Sequence, residues 1–353
     1  MRMNNRIPVA MAAGLMAGGV MAAMPPITRG LYPVASTCLA VTNADDALLN
    51  RCFCGERTSN RVWSAEDVLT DVVSVRAVET PLPAEDPLLG RALTCRYFLL
   101  YPTTPENRRA NRTILKAIVP HVQSPSETLL AATNGAPFPL VIFSHGYGVH
   151  PFYDLRDLVT LASHGYIVAC VLHADGRFGP PTSYSPLAAL RAKTLRQVVK
   201  SLVTDREFAG VMDTDRIGLF GISLGGAATL TLLGENDHVR AAFGESPALW
   251  LNSTNEINNV RQPYFGVVGC DDGLLEVSRK VVPHLAGPRY LVELPGQGHV
   301  PTEDTKEQVI TTWMLHFFDA YLKDDPAART LLKSAESVAG AITNTITFRN
   351  TDP

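Results

Sequence analysis

The chain predicts an α/β fold, a mostly parallel sheet covered by helices on both faces. From residue 139 onward, apolar runs of strand length alternate one by one with amphipathic stretches of helical period. No internal repeat, charge run or low-complexity block breaks that alternation. The scale fits as well, since 353 residues that are 46% apolar can bury one large core or two smaller ones. One domain over 93–328 is therefore expected, after an N-terminal extension at 25–92 and before a tail at 329–353 that docks or stays partly disordered.

Ahead of the extension, Arg2 and Arg6 precede an apolar, Ala/Gly/Met-rich stretch, 7–24, that ends at Pro25-Pro26. This reads as a signal peptide over 1–24, cleaved near Ala22 or Ala23, and implies a secreted or periplasmic protein. So much Ala and Gly makes the stretch weakly hydrophobic for a membrane anchor. Of six cysteines, Cys38, Cys52, Cys54 and Cys95 cluster near the extension. Export would let them form up to two disulfides, with three connectivities open. Cys52-Phe53-Cys54 is not a zinc spacing and no paired His lies nearby, so no metal is expected.

Taken in order, 68–77 and 93–101 read as strands on either side of the turn Pro81-Leu82-Pro83, an antiparallel start. Residues 139–143 form a strand running into Ser144-His145-Gly146-Tyr147-Gly148. Apolar spacing makes 155–163 a helix that stops at His164-Gly165, with glycine in the stop position. The strand 166–172 holds Cys170, expected to be a buried thiol. A Gly/Pro-rich loop, 175–186, leads to a helix at 190–202 with Leu195, Val198, Val199 and Leu202 on one face. Segments 239–244, 264–269 and 289–294 are short strands, the last closing the sheet, and 308–321 is the terminal helix.

The most informative motif is Gly221-Ile222-Ser223-Leu224-Gly225, set between a buried strand, 215–220, and a helix, 226–233. Alone it is weak, because roughly one chain in ten of this length carries G-x-S-x-G by chance. In this context it is a nucleophile elbow, a sharp strand-to-helix turn that exposes a serine hydroxyl while flanking glycines let strand and helix pass closely. Downstream, Asp271-Asp272 follows a strand and His299 lies in Gly296-Gln297-Gly298-His299 after the last one. Ser, Asp, His is the order of an α/β-hydrolase sheet. His299 would take the Ser223 proton, and an aspartate would hold the imidazole tautomer. On position alone, either Asp271 or Asp272 reaches His299, the other being solvated or capping the next helix, and Glu245 is an outside candidate.

Such a site also needs donors for an oxyanion. The Leu224 amide, at the positive end of its helix, is one. The other should come from the loop after strand 139–143, where Gly146 allows the tight turn and Tyr147 supplies the amide. His145 reads as a structural histidine of that loop. A net charge of −3 without a basic block argues against nucleic acid. Phosphate chemistry lacks both G-x-x-x-x-G-K-[ST] and G-x-G-x-x-G. No cofactor and no stable partner are implied.

Val141-Ile142-Phe143-Ser144-His145-Gly146-Tyr147-Gly148, then Leu161-Ala162-Ser163-His164-Gly165-Tyr166, the elbow and Gly296-Gln297-Gly298-His299 resemble the dienelactone-hydrolase-like α/β-hydrolases. Within that group the chain is most similar to bacterial cutinases and polyester hydrolases, with platelet-activating-factor acetylhydrolases as cousins. The resemblance implies the α/β-hydrolase fold and a secreted serine carboxylic-ester hydrolase that works through an acyl-enzyme. It favours Asp272 over Asp271 as the acid, maps the second oxyanion amide to Tyr147, and makes Trp250 in Ser246-Pro247-Ala248-Leu249-Trp250 a candidate substrate clamp. A lipase-like or acetylhydrolase-type specificity is the alternative. A non-catalytic binding protein on the same fold is the remote one, and its mark, a lost triad residue, is missing. The chain departs from the group in three ways: serine replaces the elbow cysteine of dienelactone hydrolases proper, Leu224 stands where Met or Gln is common, and the cysteine-bearing extension is extra.

Overall fold

The computed structural model describes residues 23–37, 40–41, 72–73, 76–82, 92–114, 117–123, 127–173, 183–299, 301, 309–340 and 344–351. The signal-peptide expectation for 1–22, Cys38, Cys52, Cys54 and most of the 175–186 loop lie outside them.

The apolar runs form one ten-stranded sheet. Its strands are β1 (Val34–Ser36), β2 (Arg76–Pro81), β3 (Ala92–Pro102), β4 (Phe138–Ser144), β5 (Ile167–Leu172), β6 (Met212–Ile222), β7 (Val239–Glu245), β8 (Tyr264–Gly269), β9 (Arg289–Leu294) and β10 (Thr345–Asn350). They lie in the order β10-β9-β8-β7-β6-β4-β5-β3-β1, and β2 also pairs with β3. From β5 to β9 every pairing is parallel. Both flanks are antiparallel, β3 against β5 on one side and β10 against β9 on the other. Strands β4, β5 and β8 are buried at every residue, as expected for parallel strands covered on both faces.

Seven helices are described: α1 (Leu155–Ser163), α2 (Ser185–Val203), α3 (Leu224–Glu235), α4 (Thr254–Asn259), α5 (Leu275–Val281), α6 (Thr311–Leu322) and α7 (Pro326–Ser334). Helices α2 and α3 pack together, as do α1 and α6. Two glycines of β6 show that these pairs cover opposite faces. A Cβ on Gly218 would meet Leu322 Cδ1 of α6 at 2.8 Å. Gly221, an odd number of residues further on and so pointing the other way, would meet the Gly225 carbonyl oxygen of α3 at 2.5 Å.

Register across the parallel strands is marked by an aromatic ladder. Phe143, Phe220, Phe243, Phe265 and Tyr290 are successive cross-strand partners on β4, β6, β7, β8 and β9. Phe265 stacks on Phe243 and on Tyr290 with ring centroids 5.2 Å apart in each case. Trp313 and Phe317 of α6 close over it at 5.5 and 5.6 Å. A one-residue slip of any strand would turn its ring to the opposite face.

Several boundaries differ from the sequence reading. Of the strand expected at 68–77, residues 68–71 and 74–75 lie outside the described ones, Val72–Val73 pairs antiparallel with Ala40–Val41, and Arg76–Ala77 open β2, whose Val78 and Thr80 face inward while Ala77, Glu79 and Pro81 face out; Pro81 is tolerated at a strand end. Helix α2 begins at Ser185, five residues before the expected start at 190, because Pro186 suits a first turn. Strand β9 is not the last: β10 adds antiparallel to it, and α7, capped by the Asp325 side chain on the Ala327 and Ala328 amides, leads there. The N-terminal extension supplies β1 and β2. Just ahead of it, Ala23–Met24 pairs in parallel with Ser337–Val338, and Met24 is fully buried. Cys95 on β3 is buried with its thiol 3.8 Å from Thr194 Oγ1, and Cys170 on β5 is buried as expected.

The aromatic ladder yields a stability prediction. Phe265→Ala removes the ring that bridges two strands and α6, and should cost about 3–5 kcal/mol. Urea denaturation of the two proteins measures it; a loss under 1 kcal/mol would mean that the ladder does not hold the core.

Candidate active site

The elbow is a backbone crossing that only glycine permits. A Cβ on Gly225 would sit 2.0 Å from the Ser144 carbonyl oxygen, and one on Gly226 would sit 2.6 Å from Pro247 Cβ. Between strand and helix, Ser223 has φ 53° and ψ −116°, a left-handed conformation that costs a serine roughly 1–3 kcal/mol. It is held by three backbone hydrogen bonds: its N–H donates to the Glu245 carbonyl at 3.0 Å, and its own carbonyl accepts from Ala248 at 2.9 Å and Ala227 at 3.3 Å. The turn projects the hydroxyl at the carboxyl end of the parallel strands, where α/β sheets place ligands.

Ser223 Oγ lies 3.0 Å from His299 Nε2. The other ring nitrogen, Nδ1, donates to both carboxylate oxygens of Asp272 at 3.1 Å. Asp272 is buried, and its Oδ1 also accepts from the Leu274 amide at 2.9 Å. That second bond leaves the carboxylate fixed against the ring. Asp271 is exposed, with its amide on the Gln297 carbonyl. Glu245 is fully buried on β7 and touches the elbow through its backbone. Three positions singled out in sequence, Ser223, His299 and Asp272, thus come together as one hydrogen-bonded chain.

The loop after β4 lies beside the elbow, where a Cβ on Gly146 would be 3.7 Å from Ser223 Cβ. Tyr147 and Leu224 both join a small apolar cluster with Leu187, Ala188, Ala227 and Ala248. Tyr147 also meets the Tyr184 ring edge-on at 5.2 Å. Trp250, on a one-turn 3-10 helix that follows the Ala248 amide, is 55% exposed. It is not a core residue.

With this geometry in place, comparison with known proteins is informative. A family model described as PET hydrolase-like matches residues 158–349, which include the elbow, Asp272 and His299. The chain belongs to that family. A second model, platelet-activating factor acetylhydrolase, isoform II, matches residues 97–179. Platelet-activating factor acetylhydrolase of Bos taurus is 26% identical over 37% of this chain and 40% of its own length, and that of Canis lupus familiaris is 27% identical over 37% and 39%. This chain therefore spans less than half of those relatives. A ferulic acid esterase from Streptomyces cinnamoneus shares the fold, with a TM-score of 0.61 and 20% identity over 77% of this chain and 95% of that one. An α/β-hydrolase of the esterase type is the shared description.

In this PET hydrolase-like chain the sequence reading missed the support beneath the loop. Arg191 of α2 is buried, and its guanidinium donates to the carbonyls of His145 and, at 3.1 Å, Gly146. Its signal was present, because Arg191 stands four residues before Leu195 on the apolar face of the helix. His173, at the end of β5, was missed too: its amide donates to His145 Nε2 at 3.1 Å and its Nε2 lies 2.8 Å from Ser144 Oγ. Among the described residues no group of His, Cys, Asp and Glu could hold a metal ion.

Burial keeps the histidines of this part of the molecule neutral. His145 and His173 are pushed well below the usual histidine range by burial and then by the Arg191 charge, and burial brings His150 down to about 4. The unfolded chain protonates the same residues near 6.5. Folded stability is therefore complete above about pH 6.5 and falls as the unfolded state takes up protons that the native state refuses, down toward about pH 4. Urea midpoints should drop steadily over that window, and His150→Gln should flatten part of the slope. A constant midpoint from pH 7 to 4.5 would contradict the assignment.

Proposed function

We propose that this chain is an exported serine carboxylic-ester hydrolase with a cutinase or polyester-hydrolase type of specificity. The reading rests on one observation, the unbroken hydrogen-bond chain from the strained Ser223 hydroxyl through His299 to the buried Asp272. Ser223 Oγ attacks the ester carbonyl while His299 Nε2 takes its proton. Asp272 stabilises the imidazolium from Nδ1 without itself being protonated. The Tyr147 and Leu224 amides receive the negative oxygen, aided by the N-terminus of α3. His299 then protonates the leaving alcohol, activates water against the acyl-enzyme and returns the proton to Ser223. No cofactor enters.

Membership of the PET hydrolase-like family supports the polyester-type specificity, as do an exposed Trp250 and the apolar cluster of Leu187, Leu224 and Ala248 at the elbow. Export is supported by Arg2, Arg6 and the apolar stretch 7–24. A second reading, an acetylhydrolase acting on short acyl chains of lipids, is favoured by the acetylhydrolase match over 97–179.

A p-nitrophenyl ester series from acetate to long acyl chains, alongside an amorphous polyester film, tests both. Short-ester hydrolysis with film clearing is expected, and Ser223→Ala should lower kcat by about 10⁶-fold. Asp272→Asn should lose about 10⁴-fold, while Asp271→Asn should stay near the parent. Ester hydrolysis without film clearing would move the assignment to the lipid reading, and hydrolysis that survives Ser223→Ala would end it.

A further inference from the structure

We propose that Arg191 and His145 are positioning residues for the oxyanion site, clamping the Gly146 carbonyl so that the Tyr147 N–H on the same peptide is presented to the substrate. This rests on the serine-esterase reading above and extends it to residues that never touch substrate.

A buried guanidinium costs several kcal/mol in desolvation unless its donors are satisfied. On α2 it is one of a mostly apolar set of buried residues that includes Leu187, Ala188, Leu195 and Val198, where an aliphatic side chain would serve packing as well. What sets Arg191 apart is where its donors go. One nitrogen bonds the His145 carbonyl and the other bonds the Gly146 carbonyl at 3.1 Å. His145 turns back on the same Gly146 oxygen through Nδ1, at 2.7 Å. Two donors from different elements thus converge on one backbone oxygen.

That oxygen shares a planar peptide with the Tyr147 amide. In a trans peptide the C=O and N–H point in opposite directions, so fixing one aims the other. The aim needs fixing here, because glycine at 146 leaves the peptide free to rotate at small steric cost. A cationic donor on the carbonyl also polarises the unit and strengthens its N–H as a donor. His145 can hold its part only as the neutral Nδ1–H tautomer, with Nε2 accepting from the His173 amide at 3.1 Å. Burial beside the Arg191 charge keeps it in that state.

The test compares Arg191→Met and Arg191→Lys with the parent on a p-nitrophenyl ester and on its thionoester analogue, whose sulfur is a poor acceptor for amide donors. For Arg191→Met, kcat on the oxygen ester should fall about 10- to 100-fold with KM within twofold, a smaller effect than the 10²–10³ of deleting a donor outright. The thionoester rate should fall much less, so the oxygen-to-sulfur ratio shrinks. Arg191→Lys, which cannot bridge two carbonyls with a fork, should recover only part of the rate. If the Arg191 variants do not fold, the pair His145→Ala and His145→Asn decides: Asn retains a short-armed donor and should keep a larger ratio than Ala. Equal losses on ester and thionoester, or an unchanged kcat, would overturn the clamp. Parent hydrolysis that survives Ser223→Ala would instead overturn the esterase reading beneath it.

Discussion

The contact between Gly225 and the Ser144 carbonyl is the constraint on which the rest of the site depends. With a Cβ only 2.0 Å from that oxygen excluded, the first turn of α3 can lie directly on the end of β4. That close approach brings the loop after β4 beside Ser223, and it sets the left-handed elbow that turns the hydroxyl outward. The strain at Ser223 persists because the surrounding backbone over-determines it, through Glu245 on β7 and Ala248 in the following segment. The elbow is thus supported by its neighbours in the sheet as much as by its own sequence.

Beyond the elbow, the site is assembled from chain ends of several strands. Asp272 comes from the loop after β8, His299 from the loop after β9, and Tyr147 from the loop after β4. Parallel strands deliver all of these loops to one edge, so residues distant in sequence need only short excursions to meet. The aromatic ladder acts at right angles to that arrangement. By fixing the register of five strands, it fixes the height at which each loop leaves the sheet.

Much of this was legible in the residues. Helix α1 and strands β8 and β9 match their expected spans to the residue, because each apolar run is bounded by glycine, proline or a polar break. The positions 223, 272 and 299 stood out because their motifs are local and follow strands. Position alone left Asp271 and Asp272 open; only the fold shows which carboxylate the Leu274 amide holds against the ring. Strand β10 was missed although Ile346 lies buried in an alternating stretch, since an edge strand is specified by the partner it finds. Helix α7 was missed as well, although Asp325-Pro326 is a helix-start signal. Arg191 was missed for a different reason: a charge on an apolar stripe gives no hint in sequence of the carbonyls it serves.

The pairing of Ala23–Met24 with Ser337–Val338 has a bearing on how the chain folds. This little ladder joins segments separated by nearly the whole described sequence, and β10, close to Ser337–Val338 in sequence, covers the outer edge of β9. The parallel centre can assemble without either segment, but until they dock β9 presents an open edge. Latching the fold therefore requires contacts of very long sequence separation, which carry a high loop-closure entropy and form slowly.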